Sequence, residues 1–89
     1  MSVQIDLWSR EECAEFLQER LKVVDGHLES LLCLMRMQGW RSQVIDEPQG
    51  YAVGFIAPAG SFFAGAFGHG TESILLAAER AACKVLREQ

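Results

Sequence analysis

Basic residues are scarce in this sequence of 89 residues. Eight lysines and arginines stand against twelve aspartates and glutamates, which gives a formal net charge of −4 at pH 7. Nucleic-acid binding depends largely on lysine and arginine side chains that neutralise phosphates, and anionic membrane surfaces attract basic segments. The charge balance therefore argues against both kinds of partner, and it is compatible with a basic protein surface.

Segments for export or for crossing a membrane are not apparent. The first residues, MSVQIDLWSREE, contain no basic stretch followed by an apolar one, so no signal peptide is predicted. No apolar window is long enough to span a bilayer. The three cysteines are odd in number and far apart, unlike the dense, even set of a secreted disulfide framework. We expect a cytoplasmic protein with reduced thiols and no membrane partner.

Residues that could bind a metal or act in catalysis do not cluster along the chain. His27, His69 and the cysteines lack the close spacing of structural zinc sites. Cys13, Cys33 and Cys83 are expected to be packing residues on helices, where cysteine behaves as a small hydrophobic residue. The acidic residues between Glu11 and Asp25 are expected on a solvated helix face. We therefore predict no catalytic residues, no cofactor, no metal and no enzyme activity.

Apolar residues, in contrast, are abundant for so short a chain. They make up 49% of the sequence. A chain of this length forms one small domain, here residues 1–89, and its core is thin. Small domains are commonly stabilised by a disulfide, a metal or a partner subunit. Because the first two are not indicated, the excess of apolar residues predicts association with another chain.

The first half of the sequence is predicted to be helical. Ser9 and Glu12 form a capping box, and apolar residues then recur at helical spacing as far as Met35. Gly26 interrupts this pattern, since glycine destabilises a helix interior by roughly 1 kcal/mol. The region is therefore either one helix from about Arg10 to Gln38 or two helices that meet at a bend at Gly26, which is the reading we favour. Gly39 ends it.

Three short strands and a last helix follow. The strands are predicted at Trp40–Asp46, Tyr51–Ala57 and Ser61–Phe67, with an edge position for the first. Turns at residues 47–50 and 58–60 are short, so neighbouring strands must be antiparallel. Gly68-His69-Gly70 is predicted to end the third strand, and Thr71 to cap a helix with an Ala-rich apolar stripe, whose solvated side includes Glu79. The predicted fold is α+β, in the order α-β-β-β-α, with an antiparallel meander.

The turn before the last helix is a candidate ligand site. Gly68, Gly70 and Thr71 stand where the free amides of a helix start attract anions. The turn has no third glycine and no P-loop lysine, so it fits neither the dinucleotide nor the Walker pattern. Its alternative explanation is structural: a strand-to-helix turn that requires positive φ angles.

This order of elements resembles the double-stranded-RNA-binding domain, which opens its last helix after a Gly-x-Gly turn like the one at Gly68–Gly70. That family binds phosphates with basic residues at the start of the helix. The matching positions here are acidic, polar or apolar, and no lysine or arginine precedes Arg80 in the helix. The resemblance implies the fold and gives nucleic-acid binding as the alternative function. Its phosphate contacts would be Arg41, Arg80, Lys84 and Arg87.

Residues 39–86 also resemble the small phage-encoded αβββα sandwich proteins, through Gly39-Trp40, the segment Gly50–Phe55 and the Ala-rich last helix. This resemblance carries no catalytic residues. It implies a phage or mobile-element protein that binds and modulates a host protein.

The segment 28–37 is apolar almost all round, and such a helix must be buried on several sides. Either all of it packs on the chain's own sheet, or part of it meets a second copy. We predict a non-enzymatic protein–protein interaction module that forms a homodimer and binds a further protein. The predicted interface consists of Leu28, Leu31, Leu32, Leu34, Met35 and Met37.

Overall fold

The computed structural model describes residues 5–22, 27–56, 65–70 and 73–87. It confirms the α+β class and the three-stranded antiparallel sheet. After a short 3₁₀ turn at Ile5–Leu7, the elements are α1 (Arg10–Leu21), α2 (Leu28–Met37), β1 (Arg41–Glu47), β2 (Gly50–Ile56), β3 (Gly65–Gly70) and α3 (Ile74–Arg87).

The first helical region consists of two helices, so the order is α-α-β-β-β-α. The predicted capping box opens α1: the amide of Glu12 donates to Ser9 Oγ, and the amide of Ser9 donates to Glu12 Oε1, both at 3.2 Å. The helix ends at Leu21, and Lys22 takes the left-handed conformation at φ 60°. A continuous helix from Arg10 to Gln38 is therefore excluded. Gly26 itself lies outside the described residues.

Gly39 ends α2 as predicted. Its φ of 94° is a conformation that glycine adopts easily, and its amide donates to the carbonyl of Arg36 at 2.9 Å. The reversed chain places Trp40 in the core, with 6% of its surface exposed, immediately before β1. The end of α2 and the start of β1 are thus held side by side.

The sheet has the order β1-β2-β3, so β1 is an edge strand, as predicted. The hairpin between β1 and β2 turns at Pro48 and Gln49, and Glu47 pairs with Gly50. In the register of the three strands, Val44 pairs with Val53, which pairs with Gly68. Because side chains alternate along a strand, these three residues share one face, and Ile45, Ala52 and His69 share the other.

The prediction that the third strand ends at Phe67 was wrong. Gly68 and Gly70 belong to β3 and pair with Val53 and Tyr51. The turn at residues 58–60 and the first part of the predicted strand lie outside the described residues, as does Thr71. The hydroxyl of Ser73 accepts a hydrogen bond from the amide of Leu76 at 3.1 Å, so Ser73 caps α3.

Helix α3 occupies the centre of the molecule. It packs against β2 and β3 on one side and against α1 and α2 on others. Its alanines at positions 77, 78, 81 and 82 are fully buried, and their small side chains permit close approach. The core around α3 is completed mainly by Cys13, Leu17, Leu31, Met35, Val53 and Phe55.

Candidate interaction surface

Strand β1 is the most exposed regular element. All seven of its residues are exposed, whereas β2 contains four consecutive buried residues. Two β1 residues are apolar nevertheless: Val44 is 47% exposed and Ile45 is 40% exposed. Within the described part of the chain, β1 pairs with β2 alone, so one edge of the strand keeps its peptide groups free to pair.

The two faces of the sheet differ in the elements that pack on them. The face that carries Val53 and Gly68 lies under α3, and α1 and α2 both pack against α3. The opposite face includes Ile45 and Ile56, the second of which is 42% exposed. Ala52, which lies between Ile45 and His69 on this face, is only 2% exposed, so the exposed part of this open face lies at β1 and at the end of β2. The apolar residues of β1 thus project on both sides of an uncovered edge, Val44 on the helix side and Ile45 on the open side.

The residues of the predicted α2 interface fall into three groups. Leu31 and Met35 are 1% and 0% exposed and belong to the chain's own core, so they do not reach the surface. Leu28, Leu32 and Leu34 are partly buried and pack against that core. Met37, the last residue of α2, is 77% exposed. The C-terminal end of α2 lies next to the start of β1, so the exposed Met37 adjoins the surface formed by β1.

A polar contact lies at one end of this surface, next to the hairpin between β1 and β2. Nδ1 of His69 lies 3.4 Å from Oε2 of Glu47, across β2 on the open face of the sheet. Both side chains are substantially exposed. The contact links the last residue of β1 to β3.

The predicted anion site has a different geometry from the one expected. Gly68 faces α3, and a Cβ atom added there would meet the carbonyl oxygen of Ala77, the amide nitrogen of Ala81 and, at 2.8 Å, the carbonyl carbon of Arg80. At Gly70, an added Cβ would lie 2.8 Å from the carbonyl oxygen of Ser73. Both glycines therefore permit close strand–helix packing. Thr71 lies outside the described residues, and anion binding stays a prediction.

A buried polar group lies between α1 and α3, where the sequence predicted a solvated surface. Glu79 is only 5% exposed, because α1 packs over that side of α3. Burial raises the pKa of its carboxyl group, and the charge of Arg10 opposes that shift. Its Oε1 has no hydrogen-bond partner among the described residues. The expectation that Glu79 is solvated was therefore wrong, and periodicity alone gave no sign that a second helix covers it.

Arg80 is occupied by contacts within the chain. Its guanidinium group donates to the carbonyl oxygens of His69 at 2.6 Å and Trp8 at 2.7 Å. Arg87 lies over the ring of Trp8, 5.9 Å from the ring centroid. Two of the four residues considered for phosphate binding thus have structural roles.

The described residues contain no cluster of three histidine, cysteine or acidic side chains suited to a metal ion. None of the helices that the structure describes is long and apolar enough to cross a membrane. No protein-family model, no curated protein and no solved structure matches this chain.

Proposed function

We propose that this protein is a non-enzymatic interaction module that binds another protein chain through β1 and the exposed part of α2. The observation that carries the proposal is the exposure of the whole of β1, including Val44 and Ile45, in a chain whose other described strands have buried positions. This surface contains both unpaired peptide groups and exposed apolar side chains.

An edge strand of this kind is a template for strand addition. A partner strand that pairs with it gains main-chain hydrogen bonds, and side chains on alternate positions give specificity. Natural proteins usually protect such edges with proline, charge or a covering element. The charges of β1 lie near its ends, at Arg41, Asp46 and Glu47, and its centre is uncharged. The centre is therefore the natural point of contact.

The buried groups between α1 and α3 support a structural role better than a catalytic one. Cys13 and Cys83 have no exposed surface, and Glu79 has very little. A substrate would need access to such groups before they could act on it. We therefore propose no reaction. The proposed partners are a second copy of this chain and a further cytoplasmic protein, which the resemblance to phage proteins implies is a host protein.

The test is affinity capture from a lysate of the native cells with three immobilised proteins, read by quantitative mass spectrometry. These are the wild type, Val44→Lys in β1, and Glu15→Lys on the exposed side of α1 as a control that adds positive charge away from β1. We expect the wild type and Glu15→Lys to retain the same proteins, and Val44→Lys to lose them. Circular dichroism establishes that the variants are folded. Equal retention by all three proteins would contradict the proposal.

A further inference from the structure

We propose that the occupant of the β1 edge is the β1 strand of a second copy of this chain. The two strands run antiparallel and are centred on Val44, so that two three-stranded sheets become one sheet of six strands. This inference rests on the proposed interaction surface and assigns its β1 edge to the second copy.

Charge complementarity within β1 carries the inference. When two copies of Arg41–Glu47 pair antiparallel about Val44, Arg41 lies opposite Glu47 and Ser42 lies opposite Asp46. The two-fold symmetry makes each pair twice. Residues directly opposite each other in an antiparallel pair have Cβ atoms about 5 Å apart, and opposite charges there are stabilising. The strand is thus complementary to itself in this register.

Other arrangements lose these pairs. A parallel, in-register pairing places Arg41 against Arg41 and each acidic residue against itself, which is destabilising. It also fails to give closed two-fold symmetry. An antiparallel register shifted by two residues places Arg41 opposite Ile45 or beyond the end of the partner's strand. The centred register is the one in which all seven residues are matched and both charged ends are paired.

The centred register also satisfies the hydrogen-bonding pattern of the strand. In an antiparallel ladder, alternate residues direct their peptide groups toward one neighbour, and the residues between them face the other way. Pairing about Val44 matches even-numbered residues with even-numbered ones. Residues whose peptide groups point away from β2 therefore meet residues with the same orientation in the second copy.

The helical layer adds to the contact. A two-fold axis through the paired strands is perpendicular to the joined sheet, so the helices of both copies lie on the same side. Since α2 lies next to β1, the two α2 helices approach each other there, where Leu32 and Leu34 are partly exposed and Met37 is exposed. A stable interface buries about 800 Å² per partner, so we expect α2 to contribute beyond the strand pair.

The other sheet edge is less available for the same pairing. The 3₁₀ turn at Ile5–Leu7 contacts β3, and Arg80 uses the carbonyl oxygen of His69 in that strand. Strand β1, in contrast, pairs with β2 alone within the described residues.

The experiment is size-exclusion chromatography with light scattering at micromolar concentration, with charge variants on both ends of β1. The monomer mass is 9.9 kDa, and we expect twice that mass for the wild type. Arg41→Glu sets two carboxylates opposite each other across the interface, and Glu47→Arg sets two guanidinium groups opposite each other, so each variant alone should be monomeric. An equimolar mixture of the two variants can pair opposite charges across the interface and should regain the dimer.

A cysteine cross-link provides an independent measurement. Val44 is the residue that meets its own copy, so Val44→Cys in a Cys33→Ser background should give a disulfide-linked dimer under mild oxidation. Ser42→Cys in the same background is the control, because position 42 lies opposite position 46 and should cross-link far less. Cys13 and Cys83 are buried and do not compete.

A wild type that is monomeric, a mixture that stays monomeric, or equal cross-linking at positions 42 and 44 would overturn the strand pairing. A dimer that resists both charge variants and is separated by Met37→Asp, at the exposed end of α2, would also overturn it, and would place the contact on α2 alone. In each of these cases the capture experiment with Val44→Lys still decides the proposed function separately.

Discussion

The thiol of Cys83 donates a hydrogen bond to the carbonyl oxygen of Cys13, with 3.8 Å between sulfur and oxygen. The two residues belong to α3 and α1, and both are completely buried. The neighbouring side chain of Cys13 and burial together raise the pKa of the Cys83 thiol. Because the thiolate is the reactive form of cysteine, Cys83 is protected twice, by its pKa and by its position.

Thiol reactivity should therefore differ sharply among the three cysteines. Cys33 is exposed on α2, whereas Cys13 and Cys83 are buried. We expect one thiol per chain to react rapidly with a chromogenic disulfide reagent in the native protein, and three to react in denaturant. In Cys33→Ser the rapid phase should disappear. Two or more rapid thiols in the native wild type would show that the α1–α3 contact is open in solution.

Gly68→Ala should be strongly destabilising. Its methyl group would meet the backbone of α3 at Ala77 and Ala81, which cannot move aside as a flexible side chain does. Overpacking of a core costs about 1–3 kcal/mol, and we expect the upper end of that range in the free energy of unfolding by urea. Ser42→Ala, on the exposed strand β1, is the control and should change little. A loss below that of the control would contradict the close packing.

Arg80→Met should lower stability by removing hydrogen bonds to two carbonyl oxygens. Hydrogen bonds to charged groups contribute about 1.5–3 kcal/mol each. We expect a loss of about 2 kcal/mol in chemical unfolding, since methionine retains the apolar contacts of the side chain. Arg36→Met on the exposed side of α2 is the matched control.

Arg80→Lys tests whether the stabilisation by Arg80 comes from its positive charge or from the geometry of its hydrogen bonds. A lysine has no planar fork with which to reach the carbonyl oxygens of Trp8 and His69 together, so it should recover only part of the loss. Full recovery by lysine would show that the charge alone matters at this position.

Glu79 should make stability depend on pH. Its folded pKa is raised above the ordinary value of about 4.3, so the folded state holds the proton more tightly than the unfolded state. The stabilisation is fully present below that ordinary value and is lost as pH rises through the folded pKa. Glu79→Gln should therefore be more stable than the wild type at neutral pH, where the wild type must keep a buried carboxylate charged or protonate it.

The difference between Glu79→Gln and the wild type should shrink as pH falls to about 4. Thermal unfolding across that pH range measures it, with the exposed Glu15→Gln as the control. A difference that stays constant with pH would mean that Glu79 does not titrate differently in the folded and unfolded states.

Local signals in the sequence predicted the elements well. The capping box at Ser9 and Glu12, the glycine that ends α2 and the hairpin at Pro48 each depend on residues near in sequence. Contacts between elements that are distant in the sequence could not be predicted in the same way. Glu79 has the spacing of a solvated residue on α3, and only the position of α1 shows that it is covered.

The glycines of β3 show the same limit. A Gly-x-Gly sequence before a helix is typical of a turn, yet here it is a strand that lies against a helix backbone. The α2 surface was predicted in part: its apolar residues were identified, but which of them face inward depends on α3. The exposure of β1 likewise depends on how the helices pack on the sheet, which the sequence pattern did not predict.

The central position of α3 has a consequence for how the protein is made. The helices that precede α3 in the chain meet the sheet mainly through it: α1 and α2 pack against α3, and α3 packs against β2 and β3. We expect the nascent chain to have no stable tertiary structure until residues 74–87 have left the ribosome. Until then its apolar segments need protection from aggregation, and chaperones that bind nascent chains would supply it.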